Sequence, residues 1–161
     1  MKSNENLRHS TEEKLKSGLE KYSCIFNYYN KSALVFLSYS ITQNGKGFSG
    51  INSCFSAVIP FTGADGNFVK TFCQLLHEYT HQFTDGLLKM NINMKDGSHR
   101  LSEKVVILAD YYLIKAIDEN FINKYFNWLG TTESEFFEIY KINDGLETDL
   151  KKQVDNIVRG R

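Results

Sequence analysis

The stretch Phe68-Val69-Lys70-Thr71-Phe72-Cys73-Gln74-Leu75-Leu76-His77-Glu78-Tyr79-Thr80-His81-Gln82-Phe83-Thr84-Asp85-Gly86 decides how the rest of this chain is read. Phe68, Phe72, Leu75 or Leu76, Tyr79 and Phe83 recur at spacings of three and four, the apolar stripe of an amphipathic helix, and Gly86 fits a C-terminal cap. Inside that helix lies His77-Glu78-Tyr79-Thr80-His81, an H-E-x-x-H sequence. Four residues make about one helical turn, so both imidazoles project from one face and can hold a single metal ion. Zinc suits imidazole ligands. Glu78 then stands beside the metal's open position, where it can take a proton from water and pass it to a leaving amine. The five-residue pattern alone arises by chance on the order of once in a hundred chains of this composition. The long amphipathic helix around it is the context the chemistry requires. The competing reading is two ordinary histidines on a packed helix.

A third protein ligand must come from elsewhere, leaving the fourth position to water. Metzincins continue the motif with a glycine and then a further histidine, but Thr84 and Leu87 stand at those positions. Glu103 lies 22 residues beyond His81 and opens the next helix, about Ser102 to Asp118. Val105, Val106, Leu108 and Ala109 make the continuation largely apolar. A glutamate opening an otherwise buried helix needs a partner, and a metal supplies one. Asp85, His99 and Asp110 are the other candidates, and an acid resting on the helix dipole is the plain alternative. Cys73, one turn before His77, reads as a small buried thiol that packs the helix. Asp85, one turn past His81, is placed either to accept a hydrogen bond from a ligand histidine or as a polar group at the helix end.

The segment His77 to Asp85 resembles the active helix of the gluzincin, thermolysin-like metallopeptidases at both histidines, Glu78, Thr80, Thr84 and Asp85. The resemblance runs from Phe72 to Asp110. It implies one zinc ion held by His77, His81 and Glu103, because the family takes its third ligand from a glutamate on the following helix. It also implies an acid further along that helix supporting a ligand histidine. The family's usual position is Ile107 here, but Asp110, seven residues past Glu103, would face the same side and take that role. A downstream histidine or tyrosine is implied as the oxyanion donor. No histidine follows His99, which leaves Tyr111, Tyr112, Tyr125 or Tyr140. Finally, the resemblance implies an extended peptide paired along the edge strand before the active helix, by position Cys54 to Ile59.

Around this centre the sequence supplies a small sheet and further helices. Ser10 or Thr11 can cap a first helix with Leu15, Leu19, Tyr22, Ile25, Phe26 and Tyr29 on its apolar side, closed by Asn30 and Lys31. Ala33 to Ile41 reads as a mostly buried strand. Cys54 to Ile59 reads as its neighbour, stopped by Pro60, with the turn signal Asn44-Gly45-Lys46-Gly47 and then Gly50 between the two. A loop, Thr62 to Asn67, leads into the active helix, and a polar connection, Asn91 to Gly97, leaves it. Phe121, Tyr125, Phe126 and Trp128 read as core. Thr132 and Glu135 are spaced as a capping box, and a last helix covers about Glu147 to Val158. The expectation is an α+β fold: one zincin-like domain across residues 1–161, with a small N-terminal sheet, the active-site helix and a mostly helical C-terminal half.

At 161 residues the chain is too short for two domains of ordinary size. Nineteen basic and nineteen acidic residues cancel, so nothing in the charge favours nucleic acid or an anionic membrane as a partner. Met1 to Lys16 has no apolar leader core, and runs such as Val105 to Ala109 fall far short of a membrane span. Three cysteines, Cys24, Cys54 and Cys73, cannot all pair within one chain, which favours free thiols in a reducing cytoplasm. The functional expectation is a zinc-dependent peptidase, an endopeptidase acting on peptide or protein substrates, with Glu78 as general base. One alternative is a zincin-fold domain that binds a peptide or partner without turnover, against which the intact Glu78 weighs. The other is a structural domain in which the motif is accidental.

Overall fold

A computed structural model describes residues 2–28, 33–38, 46–49, 55–60, 68–91 and 98–160. In chain order the elements are α1 (Lys2–Lys21), α2 (Ser23–Phe26), β1 (Ala33–Ser38), β2 (Lys46–Ser49), β3 (Phe55–Pro60), α3 (Phe68–Asn91) and α4 (Ser98–Ile117). A 3-10 turn (Glu119–Phe121), α5 (Ile122–Leu129), α6 (Glu133–Ile139) and α7 (Asp144–Val158) complete the series. The fold is α+β, mostly helical with one small sheet, as composition and periodicity indicate. The chain divides into two compact units, Met1–Tyr79 and Thr80–Arg161, and the division falls within α3.

In the first unit α1 begins at Lys2, well ahead of the expected cap at Ser10 or Thr11. The added turns, Lys2 to His9, hold one each of Lys, Glu, Leu and Arg beside Ser, His and two Asn; they carry no apolar stripe, so hydrophobic periodicity does not register them. Where α1 meets α3 the approach is close: a β-carbon added at Gly18 would lie 3.0 Å from the Phe72 ring. Tyr22 packs edge-on against that same ring. The Tyr79 ring packs edge-on against both Phe26 and Phe55, and its hydroxyl donates to the Phe26 carbonyl at 2.7 Å. Thr71 donates to the Pro60 carbonyl. These contacts seat the first half of α3 on α2 and the sheet.

The sheet has the order β1-β3-β2. β1 runs parallel to β3, with Ala33 opposite Phe55 and Ser38 opposite Pro60, so the two long apolar runs are neighbours as expected. β2 pairs antiparallel to the other side of β3, with Lys46 opposite Val58. Three expectations are corrected here. Lys46 and Gly47 belong to a strand rather than a turn, because glycine lowers strand propensity without forbidding pairing to a stable neighbour. Pro60 ends β3 inside the ladder rather than stopping the strand before it, a position where the missing N–H costs little. With β1 and β2 on its two sides, β3 is the central strand, so its backbone is not the free edge that a peptide would pair with. β1 is also less buried than its composition implies: Leu34, Val35 and Phe36 are all exposed. Asn30, Lys31, residues 39–41, Asn44, Gly45, Gly50, Cys54 and the loop Thr62 to Asn67 lie outside the described residues.

In the second unit α3 continues through Gly86 to Asn91, correcting the expected cap. Leu87 and Leu88 are buried beyond it and carry the apolar stripe past the glycine. The rest of the connection expected over Asn91 to Gly97 lies outside the described residues. α4 starts at Ser98, so Glu103 sits in its second turn rather than at its opening. Tyr111 on α4 anchors an aromatic cluster with Phe126, Phe136 and Phe137. α7 presents Leu146, Leu150, Val154 and Ile157 as its buried stripe. It begins at Asp144, ahead of the expected Glu147, because Asn143 caps it by accepting from the Leu146 N–H at 2.8 Å. The Thr132–Glu135 capping box forms as read. Phe121, Tyr125 and Phe126 are core, whereas Trp128 is half-buried. Among the described residues no helix is long and apolar enough to cross a membrane.

Candidate metal centre

His77 and His81 stand one turn apart on α3, the spacing that sends two side chains from one helical face. Glu103 joins them from the second turn of α4. One ligating atom from each of the three residues lies within 4.8 Å of the others, with His77 buried and His81 and Glu103 half-buried. His81 Nε2 is 3.5 Å from Glu103 Oε1. A tetrahedral zinc with bonds of about 2.1 Å sets its ligands about 3.4 Å apart, so this pair already has the separation of two ligands on one ion. The donor chemistry fits as well: two imidazoles and a carboxylate suit a borderline cation of zinc's kind and leave one position free.

The second nitrogen of His81 also has a carboxylate beside it. Nδ1 lies 3.7 Å from Asp85 Oδ1, one turn further along α3. That oxygen accepts a hydrogen bond from the Ser102 hydroxyl at 3.2 Å. Ser102 immediately precedes Glu103, so two successive residues of α4 reach His81, one directly and one through Asp85. A carboxylate at the non-ligating nitrogen favours the tautomer with its proton there and the lone pair on the other. Asp85 thus lies beside His81, at a separation longer than a hydrogen bond. Ser102 carries no signal in the sequence beyond ordinary capping, and its link to Asp85 arises only in the fold.

His99, also on α4, places Nδ1 3.7 Å from the same Glu103 Oε1 and is 90% exposed. Glu78 follows His77 on α3 and is half-buried. With 3.6 residues per turn, it lies about 60° around the helix from His81. Cys73 is fully buried and is not part of the gathered group. Asp110 is fully buried further along α4. Its Oδ2 is 3.5 Å from the Tyr125 hydroxyl, which also lies 3.1 Å from the Ile107 carbonyl as a donor.

The four tyrosines weighed as oxyanion donors all lie in the second unit. Tyr112 donates to Glu147, and Tyr111 accepts from Lys115. Burial, then the bond to Glu147, pushes the Tyr112 phenol up to about 12, and burial raises that of Tyr140. No protein-family model, curated protein or solved structure matches the chain, so the chemistry of this centre is argued from its own residues.

Proposed function

We propose that the chain is a zinc-dependent peptidase of zincin-like fold, in which His77, His81 and Glu103 hold one zinc ion and Glu78 is the general base. The observation that carries this reading is the convergence of those three side chains within 4.8 Å, on the same helix that presents Glu78. Bound there, zinc would supply a Lewis acid that polarises a peptide carbonyl and acidifies a neighbouring water. The chain's own residues do the rest. Asp85 and Ser102 orient the His81 ring. The Glu78 carboxylate accepts a proton from water and returns it to the departing nitrogen, which requires it to be ionised before the reaction and leaves it unchanged afterwards. The substrate class is peptide or protein.

The test replaces Glu78 by Gln, which keeps the shape of the side chain and removes its basicity. Zinc content should stay at about one equivalent, since Glu78 is not a ligand. Hydrolysis of a mixture of unstructured peptides, read by mass spectrometry, should fall by ~100-fold or more. Equal cleavage by the two proteins would assign the activity to a contaminant or another base. Absence of cleavage by the zinc-loaded wild type would move the reading to a peptide-binding domain without turnover.

A further inference from the structure

The chain has four histidines, and three of them stand at one carboxylate. Glu103 Oε1 lies 3.5 Å from His81 Nε2 and 3.7 Å from His99 Nδ1. His99 and Glu103 are themselves four apart on α4, just as His77 and His81 are four apart on α3. Two helical pairs of the same spacing thus meet at Glu103, one on each helix, with His99 outside the mutually close group. The i, i+4 spacing lets both side chains of a pair reach one ion.

We propose that His99 is a fourth, displaceable ligand of the zinc, completing a His-His-Glu-His centre in the absence of substrate. This rests on the metal reading given above and adds to it a way of closing the open position. The distance from His99 Nδ1 to Glu103 Oε1 exceeds the roughly 3.4 Å edge of a tetrahedral zinc site by only a few tenths of an ångström. The mutually close ligating atoms are those of His77, His81 and Glu103, so His99 would join them only after a side-chain rotation. Its ring is free to make that rotation, being almost wholly in solvent on the first turn of α4.

The same exposure makes His99 the ligand that leaves. His77 is buried, and His81 and Glu103 are about a quarter and a third exposed, held by the helices around them. His99 pays the full entropy of being fixed when it binds, and a peptide carbonyl can take its place. Ligand exchange of this kind moves no electrons. The imidazole donates a lone pair as one water departs, and the reverse occurs when substrate enters.

The test uses the full chain, labelled with nitrogen-15, and follows the imidazole nitrogens by long-range proton–nitrogen NMR as zinc is added. His77, His81 and His99 should each acquire the shift of a metal-bound nitrogen, while His9 should not. Cobalt gives a second measurement, on variants whose folding is checked by circular dichroism. His99→Ala should bind cobalt ~10-fold or more weakly, change its visible spectrum, and let azide coordinate more readily than in the wild type. If His77 and His81 alone shift, and His99→Ala keeps wild-type cobalt affinity and spectrum, the fourth ligand is overturned and the three-residue centre stands. If none of the three shifts, or His81→Ala still binds a full equivalent of metal, the centre itself is wrong and His99 falls with it.

Discussion

His81 Nε2 lies 3.5 Å from Glu103 Oε1, joining residues 22 apart in sequence across two helices. That separation fits two ligands of one ion, the role proposed for Glu103. Glu103→Ala should therefore weaken zinc binding by more than the ~10- to 100-fold typical of losing a supporting partner. Competition with a chromophoric chelator measures it. Unchanged zinc affinity would remove Glu103 from the centre and the gluzincin likeness with it.

In the proposed centre Asp85 would act on the metal through the His81 ring, 3.7 Å away. Asp85→Asn should lower zinc affinity by about 10-fold while leaving stoichiometry at one. Ser102→Ala should have a smaller effect in the same direction, because Asp85 keeps its place on α3. A larger loss from Ser102→Ala than from Asp85→Asn would mean that the serine reaches the centre by another route.

Gly86 lies in the interior of α3, is exposed, and has open space where a β-carbon would stand. Alanine there needs no strained backbone and meets no neighbour. Gly86→Ala should raise stability by about 0.5–1 kcal/mol in urea unfolding. A helix ending at Gly86 in a left-handed cap would instead be destabilised by the same change, so the sign of the effect tests the helix boundary.

The Lys151 ammonium, 2.6 Å from Glu147, and then the Tyr112 hydroxyl hold the Glu147 carboxyl below the usual carboxylate range. Its unfolded value is about 4.3, so the unfolded chain takes up the proton first as the solution is acidified. The stabilisation is thus present above pH ~4.3 and lost as the pH falls through the folded value. Glu147→Gln should be less stable than wild type at neutral pH, by about 1 kcal/mol or less given solvent screening. The two proteins should converge near pH 3, as followed by urea unfolding at both pH values. A gap unchanged by acid would place its origin in packing rather than charge. On the alkaline side Tyr112 works in the opposite sense: with its folded value near 12, its contribution is full below pH ~10 and lost between there and 12.

The centre was more legible in the sequence than the fold around it. His77 and His81 could be placed together because helical spacing is a local property, and Glu103 stood out as an acid in an apolar run. The boundaries were harder. α1 starts at Lys2, ahead of any apolar stripe, and α3 passes Gly86 because buried leucines further along outweigh a single-residue stop signal. β2 is four residues long and holds a glycine; only its pairing with Phe55–Val58 makes it a strand, and pairing between distant segments leaves no periodic trace. The side of β3 on which a neighbour lies is equally a tertiary fact. So is the link from Ser102 to Asp85, which spans two helices and follows no spacing rule.

The parallel pairing of Ala33 with Phe55 has a consequence for the protein's life before it is folded. β1 reads Ala-Leu-Val-Phe-Leu-Ser, a mostly apolar run with Val35 and Phe36 at its centre, no charge and no proline, a composition that favours self-association. Its partner strand is made 22 residues later, so during synthesis β1 emerges well before anything can pair with it. Even afterwards β1 pairs with β3 alone among the described strands, with Leu34 and Phe36 still half in water. Natural sheets blunt such an edge with lysine or a bulge, and this one carries neither within the strand. Leu34 and Phe36 are therefore the positions where a charged residue should most reduce self-association, far in sequence from His77, His81 and Glu103.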